Sequence, residues 1–387
     1  MTLTEELIAL RRGLHGNPEI GLDLPRTQEA VLEALDPLDL EVGVGKGLSS
    51  VTAVLRGARP GPTVLLRGDM DALPITENTG LPFASTNGAM HACGHDLHVA
   101  GLVGAARLLA ARRTELAGSV VFMFQPGEEG FAGGRTMIDE GVLDVTGGRP
   151  VAAYAVHVDC QTPSRSVVTR QGPIMAGVSV LRIRVSGTGG HAAHPHHAVD
   201  PVPVAAEIVL AVQAFVARRV PVADPAVVSI TRISSDSAAG NVLATNVDLE
   251  ANVRTLSRET LALVRLELLR LVTALGEAHG CGVTTDFVDS YPVTVNDPAE
   301  TAHVLEFLDE RHGDAVVRMP SPAMASEDFA YVLDQVPGTL VFLGVAPAEP
   351  SGPMHSEHAV FDDSLLGEHA TLLADLARRR LARALLG

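Results

Sequence analysis

Apolar positions recur at helical spacing over residues 7–14 and 27–35, then give way to short apolar runs at 51–55 and 63–66 that predict strands. An Ala- and Leu-rich helical stretch at 97–112 is followed by two near-continuous apolar runs, 119–124 and 151–158. Such runs suit strands of a sheet covered on both faces. The chemically capable residues come directly after these strands: Arg67-Gly68-Asp69, then Gln125-Pro126-Gly127-Glu128-Glu129, and His157 at the end of the third. Ligands of open α/β sheets bind outside the carboxyl ends of the strands, so the three segments are expected to meet at one crevice.

The pattern changes beyond Gly172-Pro173. Alternation at 179–185, a helical stretch at 201–217, alternation at 226–233 and 247–253, a long helical stretch at 259–275 and a strand at 283–288 spell β-α-β-β-α-β. That is a four-stranded antiparallel sheet with two helices on one face, ferredoxin-like. From Asn296 the first style resumes, with helices expected at 299–311, 327–335 and 363–385 and a strand at 339–343. The expected organisation is an α/β domain of residues 1–175 and 293–387, built on a mixed sheet flanked by helices, with an inserted α+β domain of residues 176–292. A chain of 387 residues, 46% of them hydrophobic, can fill two cores.

The formal net charge of −17 argues against nucleic acid or an anionic membrane surface as partner and favours a small-molecule substrate. The chain does not open with a basic region followed by an apolar run, and no stretch reads as long and apolar enough to span a bilayer. A cytoplasmic protein is expected. Cys93, Cys160 and Cys281 are an odd count and make no disulfide framework.

Candidate chemistry concentrates in Met90-His91-Ala92-Cys93-Gly94-His95-Asp96, which gathers a thiol, two imidazoles and a carboxylate beside a glycine. A Cys-x-His pair alone says little, because no partner motif nearby completes a tetrahedral site. Likewise Glu128-Glu129 alone reads as a solvated turn, His157 as a core histidine and Cys93 as an inert small hydrophobe. Together, Cys93, His95, Glu129, His157 and His355 supply thiolate, imidazole and carboxylate, the donor set for zinc or a similar divalent ion. Five donors exceed one closed site and suffice for two ions sharing a bridging ligand. Adjacent glutamates at a strand end project differently, so one can bind metal while the other acts as general base.

Five segments carry a resemblance: Leu66-Arg67-Gly68-Asp69-Met70-Asp71-Ala72-Leu73-Pro74, residues 90–96, Gln125-Pro126-Gly127-Glu128-Glu129-Gly130, Gly189-Gly190-His191-Ala192-Ala193 and Ser326-Glu327-Asp328-Phe329. In this order they closely resemble the dinuclear metal amidohydrolases of the aminoacylase and carboxypeptidase family. The nearest branch contains hippurate hydrolase, N-acyl amino acid amidohydrolases and the plant auxin-conjugate hydrolases. The resemblance implies a phosphorylase/hydrolase-like zinc-peptidase catalytic domain with an inserted lid that pairs two subunits into a homodimer. It also implies two divalent ions per subunit, drawn from zinc, manganese, cobalt or nickel. Cys93 would bridge them, with His95 and His157 completing one ion's shell and Glu129 and His355 the other's. Glu128 matches the general base, and Asp69 a carboxylate that orients a ligand or the base. His191 matches a histidine that stabilises the oxyanion, while Asn241 and Arg254 match positions that touch the substrate carbonyl or clamp its carboxylate.

The expected reaction is hydrolysis of N-acyl amino acids such as N-acetyl or N-benzoyl conjugates. Competing readings are a dipeptidase or carboxypeptidase, a thiol hydrolase with Cys93 as nucleophile, and a metal-binding protein of the same fold without turnover. The chain departs from the family after His355: the run Ser356-Glu357-His358-Ala359-Val360-Phe361 lacks the usual proline and aromatic before an acidic pair. This leaves the local loop shape open, and with it His358 as a substitute ligand.

Overall fold

The computed structural model describes residues 1–383, so the last two positions of the helix expected at 363–385 lie outside the described residues. The chain divides into two compact units, one of Met1–Ile174, Val295–Ser321 and Asp328–Gly387, the other of Met175–Thr294 and Pro322–Glu327. The short segment Pro322–Glu327 thus goes with the inserted unit. The Ala176 N–H lies within donating distance of Ala323 O and Ala325 O (3.0 and 2.9 Å), and Arg254 Nη1 donates to Met324 O (2.8 Å).

The first unit is an eight-stranded mixed sheet flanked by helices, as the patterning predicts. Its strand order is Glu41–Val44, Val51–Arg56, Ala117–Gln125, Arg59–Asp69, Ala152–Asp159, Gly338–Gly344, Val167–Thr169 and Val316–Arg318. Arg59–Asp69 is parallel to both neighbours, and Gly338–Gly344 runs parallel to Ala152–Asp159. The near-continuous apolar runs are these central strands, buried along almost their whole length. Glu41–Val44 is exposed throughout, which is why its residues carry no apolar pattern to read. The helices His95–Ala110 and Leu366–Arg383 pack on one another and on the central strands. Glycines bring them close: a Cβ on Gly101 would stand 2.0 Å from His369 Nδ1, and one on Gly104 2.6 Å from the Ala370 Cβ.

The second unit is a four-stranded antiparallel sheet in the order Ala226–Ser235, Asn246–Thr255, Gly177–Ser186 and Gly282–Tyr291. Two helices, Pro201–Arg219 and Arg258–Ala278, bury Val204, Ile208, Val212, Val264, Leu268 and Val272 against it. The expected β-α-β-β-α-β order is present, with one addition: a two-residue ribbon pairing Gly190–His191 with Val242–Leu243. One expectation fails. Pro201–Arg219 is, by length and composition alone, apolar enough to cross a membrane. Its stripe of Val204, Ala205, Ile208, Val212 and Phe215 lies in the core of its unit, as in the core helix of a globular domain.

Candidate active site

The helix His95–Ala110 begins two residues earlier than its apolar pattern because Gly94, at φ +84°, closes its N-terminus in the left-handed region. Only glycine fits there: a Cβ would lie 2.5 Å from Val158 Cγ2, on the strand that carries His157. Cys93 and His95 flank this close approach, and the Cys93 sulfur lies 3.6 Å from His157 Nε2.

Backbone carbonyls set the tautomers of two candidate ligands. His95 Nδ1 donates to Asp71 O (2.9 Å) and His157 Nδ1 to Val158 O (2.7 Å), which turns both Nε2 lone pairs toward the site. His355 sits in the left-handed region at φ +63°, unusual for a residue with a side chain, and its N–H donates to Ala92 O (2.9 Å). Its Nε2 lies 3.2 Å from Glu129 Oε1, and Cys93, Glu129 and His355 form one compact donor group. His95 and His157 fall in a second group, with Asp69 and His98. Cys93 stands between the two. His358 is turned elsewhere, with Nδ1 donating to Asn78 O (2.7 Å). The loop after His355 closes through Gly352 N–H on His358 O, and Phe361 is buried beside Gly94.

The donors attract one another's charge. Burial pushes the Cys93 thiol up, but the charges of His157 and His95 and hydrogen bonds from His157 and His355 outweigh it and bring it down to about 6. Hydrogen bonds to Cys93 and Glu129 carry His355 up to about 10. Yet His95 Nε2 is buried without a hydrogen-bond partner among the described residues, and its lone pair faces the same space as the Cys93 sulfur and the Glu129 carboxylate. A divalent cation fits that arrangement: it is the counter-charge for thiolate and carboxylate and the acceptor of those lone pairs.

Two buried carboxylates, Asp69 and Asp71, stand behind these side chains. The orienter of the glutamate pair is Asp71, whose oxygens accept the N–H groups of Glu128 and Glu129 (2.9 and 3.0 Å). Asp69 instead accepts from Arg67 Nη1 (2.7 Å) and from His98 Nδ1, and lies 3.4 Å from His95 Nε2. His98 also accepts the Val158 N–H at Nε2 (2.8 Å), so both its ring nitrogens are engaged and it ties the His95 helix to the His157 strand rather than offering a ligand. Behind them Arg67 and Gln125 hold Asp328, which also accepts the Gly134 N–H (2.8 Å); Glu128 accepts the Asp328 N–H at 3.4 Å. Asp71 and His98 escape a reading by spacing because one sits two residues past Asp69 and the other three residues past His95 on the same helix.

In the second unit, His191 pairs with Val242 across the ribbon, and Asn241 O accepts the Ala192 N–H (3.0 Å). His191 Nδ1 accepts from Ala193 N–H (3.1 Å), which places the ring proton on Nε2, facing outward as a donor. Arg254, half-buried, donates to Asn252 Oδ1 and Met324 O, and burial draws its pKa down.

The profile described as peptidase family M20/M25/M40 matches residues 65–379, more than half of the chain. The chain belongs to this family. M20 relatives align over nearly its whole length. Thermostable carboxypeptidase 1 of Saccharolobus solfataricus is 36% identical, covering 93% of this chain and 91% of the relative. N-acetylcysteine deacetylase of Bacillus subtilis is 33% identical, covering 96% of each. Among solved structures, the Bacillus subtilis YXEP protein, described as a dinuclear metal binding peptidase of the M20 family, superposes with a TM-score of 0.85 at 31% identity, covering 98% of this chain and 99% of its own. This M20 chain is therefore a hydrolase of amide bonds with a divalent-metal centre.

Proposed function

We propose that the protein hydrolyses the amide bond of N-acyl amino acids, releasing a carboxylic acid and a free amino acid. The observation that carries the reading is the pair of donor groups meeting at Cys93 beside a glutamate pair whose backbone is held by one buried carboxylate. Cys93, His95 and His157 would hold one divalent ion, and Cys93, Glu129 and His355 a second, with zinc, manganese, cobalt and nickel all suited to the donor set. When bound, such ions supply Lewis acidity, polarising the amide carbonyl and lowering the pKa of water toward neutrality.

The chain's own residues do the rest. Glu128, fixed by Asp71 and by the Asp328 N–H, takes the proton of the attacking water and returns it to the departing nitrogen. His191 donates from Nε2 to the oxyanion, Asn241 binds the carbonyl, and Arg254 pairs with the amino acid carboxylate. The working unit is a homodimer formed through the inserted domain, a reading supported by apolar side chains exposed on its helices, among them Leu210 and Leu266.

Release of free amine from a pool of N-acetyl and N-benzoyl amino acids, by metal-loaded and chelated protein in parallel, tests this. Metal-dependent release supports it. Release of carboxy-terminal residues from short peptides, with none from the N-acyl pool, would replace it with the carboxypeptidase reading that one relative's name favours.

A further inference from the structure

The ribbon that carries His191 continues into Ala192-Ala193-His194-Pro195-His196-His197, and three of these imidazoles have no part in the reaction above. The chain folds here into successive tight turns. His194 N–H donates to His191 O, His197 N–H to His194 O and Ala198 N–H to Pro195 O, with a 3₁₀ turn over Pro195–His197. Residues three apart eclipse in such a turn, so His194 and His197 rise on the same side, with His196 alongside. The ring centroids stand 4.1 Å apart for His196 and His197, 5.9 Å for His194 and His197, and 6.1 Å for His194 and His196. All three side chains are exposed, and no ring nitrogen among them has a hydrogen-bond partner among the described residues.

We propose that His194, His196 and His197 form a further divalent-metal site on the inserted domain, separate from the Cys93 centre and built from imidazole alone. Three imidazoles around one tetrahedral ion, at metal–nitrogen distances of about 2.0–2.1 Å, have ring centres roughly 5 Å apart, and the observed separations bracket that value. Rotation of the exposed rings about χ1 and χ2 is the movement that would bring their nitrogens to a common point, and the turn's backbone need not take part. Proline between His194 and His196 holds the turn's backbone, which reduces the entropy lost on binding. The donor set selects borderline ions such as Zn²⁺, Ni²⁺ or Cu²⁺ over Mg²⁺ or Ca²⁺, and water completes the shell. A bound ion cross-links the turn and stiffens the ribbon that presents His191.

The test uses full-length protein, stripped with chelator, dialysed against Ni²⁺ alone, desalted, and assayed for ions per chain by mass spectrometry. The wild type is expected to retain one ion more than the His194→Ala/His197→Ala double variant. Cu²⁺ loaded into a Cys93→Ala background should show an EPR component with nitrogen hyperfine structure from several imidazoles that is missing from the spectrum of the added double variant, in which only the signal of the remaining His95, His157 and His355 persists. Because the readout is a difference between paired proteins, it is independent of whether the Cys93 centre hydrolyses N-acyl amino acids. Equal ion counts, or an extra ion that does not survive desalting, would overturn the proposal. Circular dichroism of the variants, whose changed side chains are exposed, confirms that the fold is retained.

Discussion

Replacing Asp71 with alanine removes the side chain that accepts the backbone N–H groups of both glutamates. The carboxylate is 1% exposed and accepts two N–H groups at 2.9 and 3.0 Å. Each hydrogen bond to a charged acceptor contributes ~1.5–3 kcal/mol, and the donors would be left unpaired in a dry site; the variant also sheds the burial cost of the carboxylate itself, so the net loss is about 2–4 kcal/mol. Asp71→Asn is no rescue, because one amide oxygen serves one N–H while its NH₂ faces the other. The functional cost follows from position: a shift of ~1 Å in Glu128 relative to the reacting atoms lowers kcat by roughly 100-fold. Urea unfolding, metal content and kcat should be measured on Asp71→Ala, Asp71→Asn and Asp69→Asn. A folded Asp71→Ala protein with unchanged unfolding midpoint and near-normal kcat would refute the assignment of Asp71 as the residue that positions the pair.

Three other predictions follow from the same geometry. Gly94→Ala forces a Cβ to within 2.5 Å of Val158 Cγ2 at φ +84°; a loss of ~1–3 kcal/mol and weaker metal retention are expected, measured by unfolding and by metal content after desalting. His98→Ala leaves the buried Val158 N–H unpaired and removes the donor to Asp69 Oδ1, and should lower stability by about 2–4 kcal/mol, whereas a merely exposed histidine would cost nothing. Burial pushes the His15 imidazole down, but the Asp96 charge and the hydrogen bonds its ring donates to Asp96 and Glu77 outweigh it and raise its pKa from 6.5 to about 8. Its stabilising contribution is therefore complete below the unfolded value of 6.5 and lost as pH rises through about 8. A shift of that size is worth about 2 kcal/mol, read as the difference between the wild type and His15→Asn in how unfolding free energy changes from pH 6.5 to about 8.

Much of the fold is legible because its core strands are buried on both faces. An apolar run such as 151–158 has few other uses, and alternation at 247–253 marks a strand with one open face. The edge strand Glu41–Val44 and the short strands Val167–Thr169 and Val316–Arg318 escape the pattern, being too short or too exposed to impose a period. The donor set is legible because thiolate, imidazole and carboxylate seldom gather without a metal to satisfy. The frame behind it is not. Arg67, Gln125 and Asp328 lie far apart in sequence and read as ordinary polar residues until the sheet brings them together in one buried network. Asp71 likewise acts through backbone N–H groups 57 and 58 residues away, a partnership no local spacing encodes.

The most direct test of the account pairs Glu128→Gln with the wild type, each stripped of metal and then titrated with Zn²⁺ or Mn²⁺ while bound ions and amine release from N-acyl amino acids are followed together. The account predicts equal ion binding in the two proteins, release that rises with metal in the wild type, and a loss of about 10²–10⁴-fold in the variant. Release that survives chelation, or a Glu128→Gln protein of near-normal rate, would contradict it.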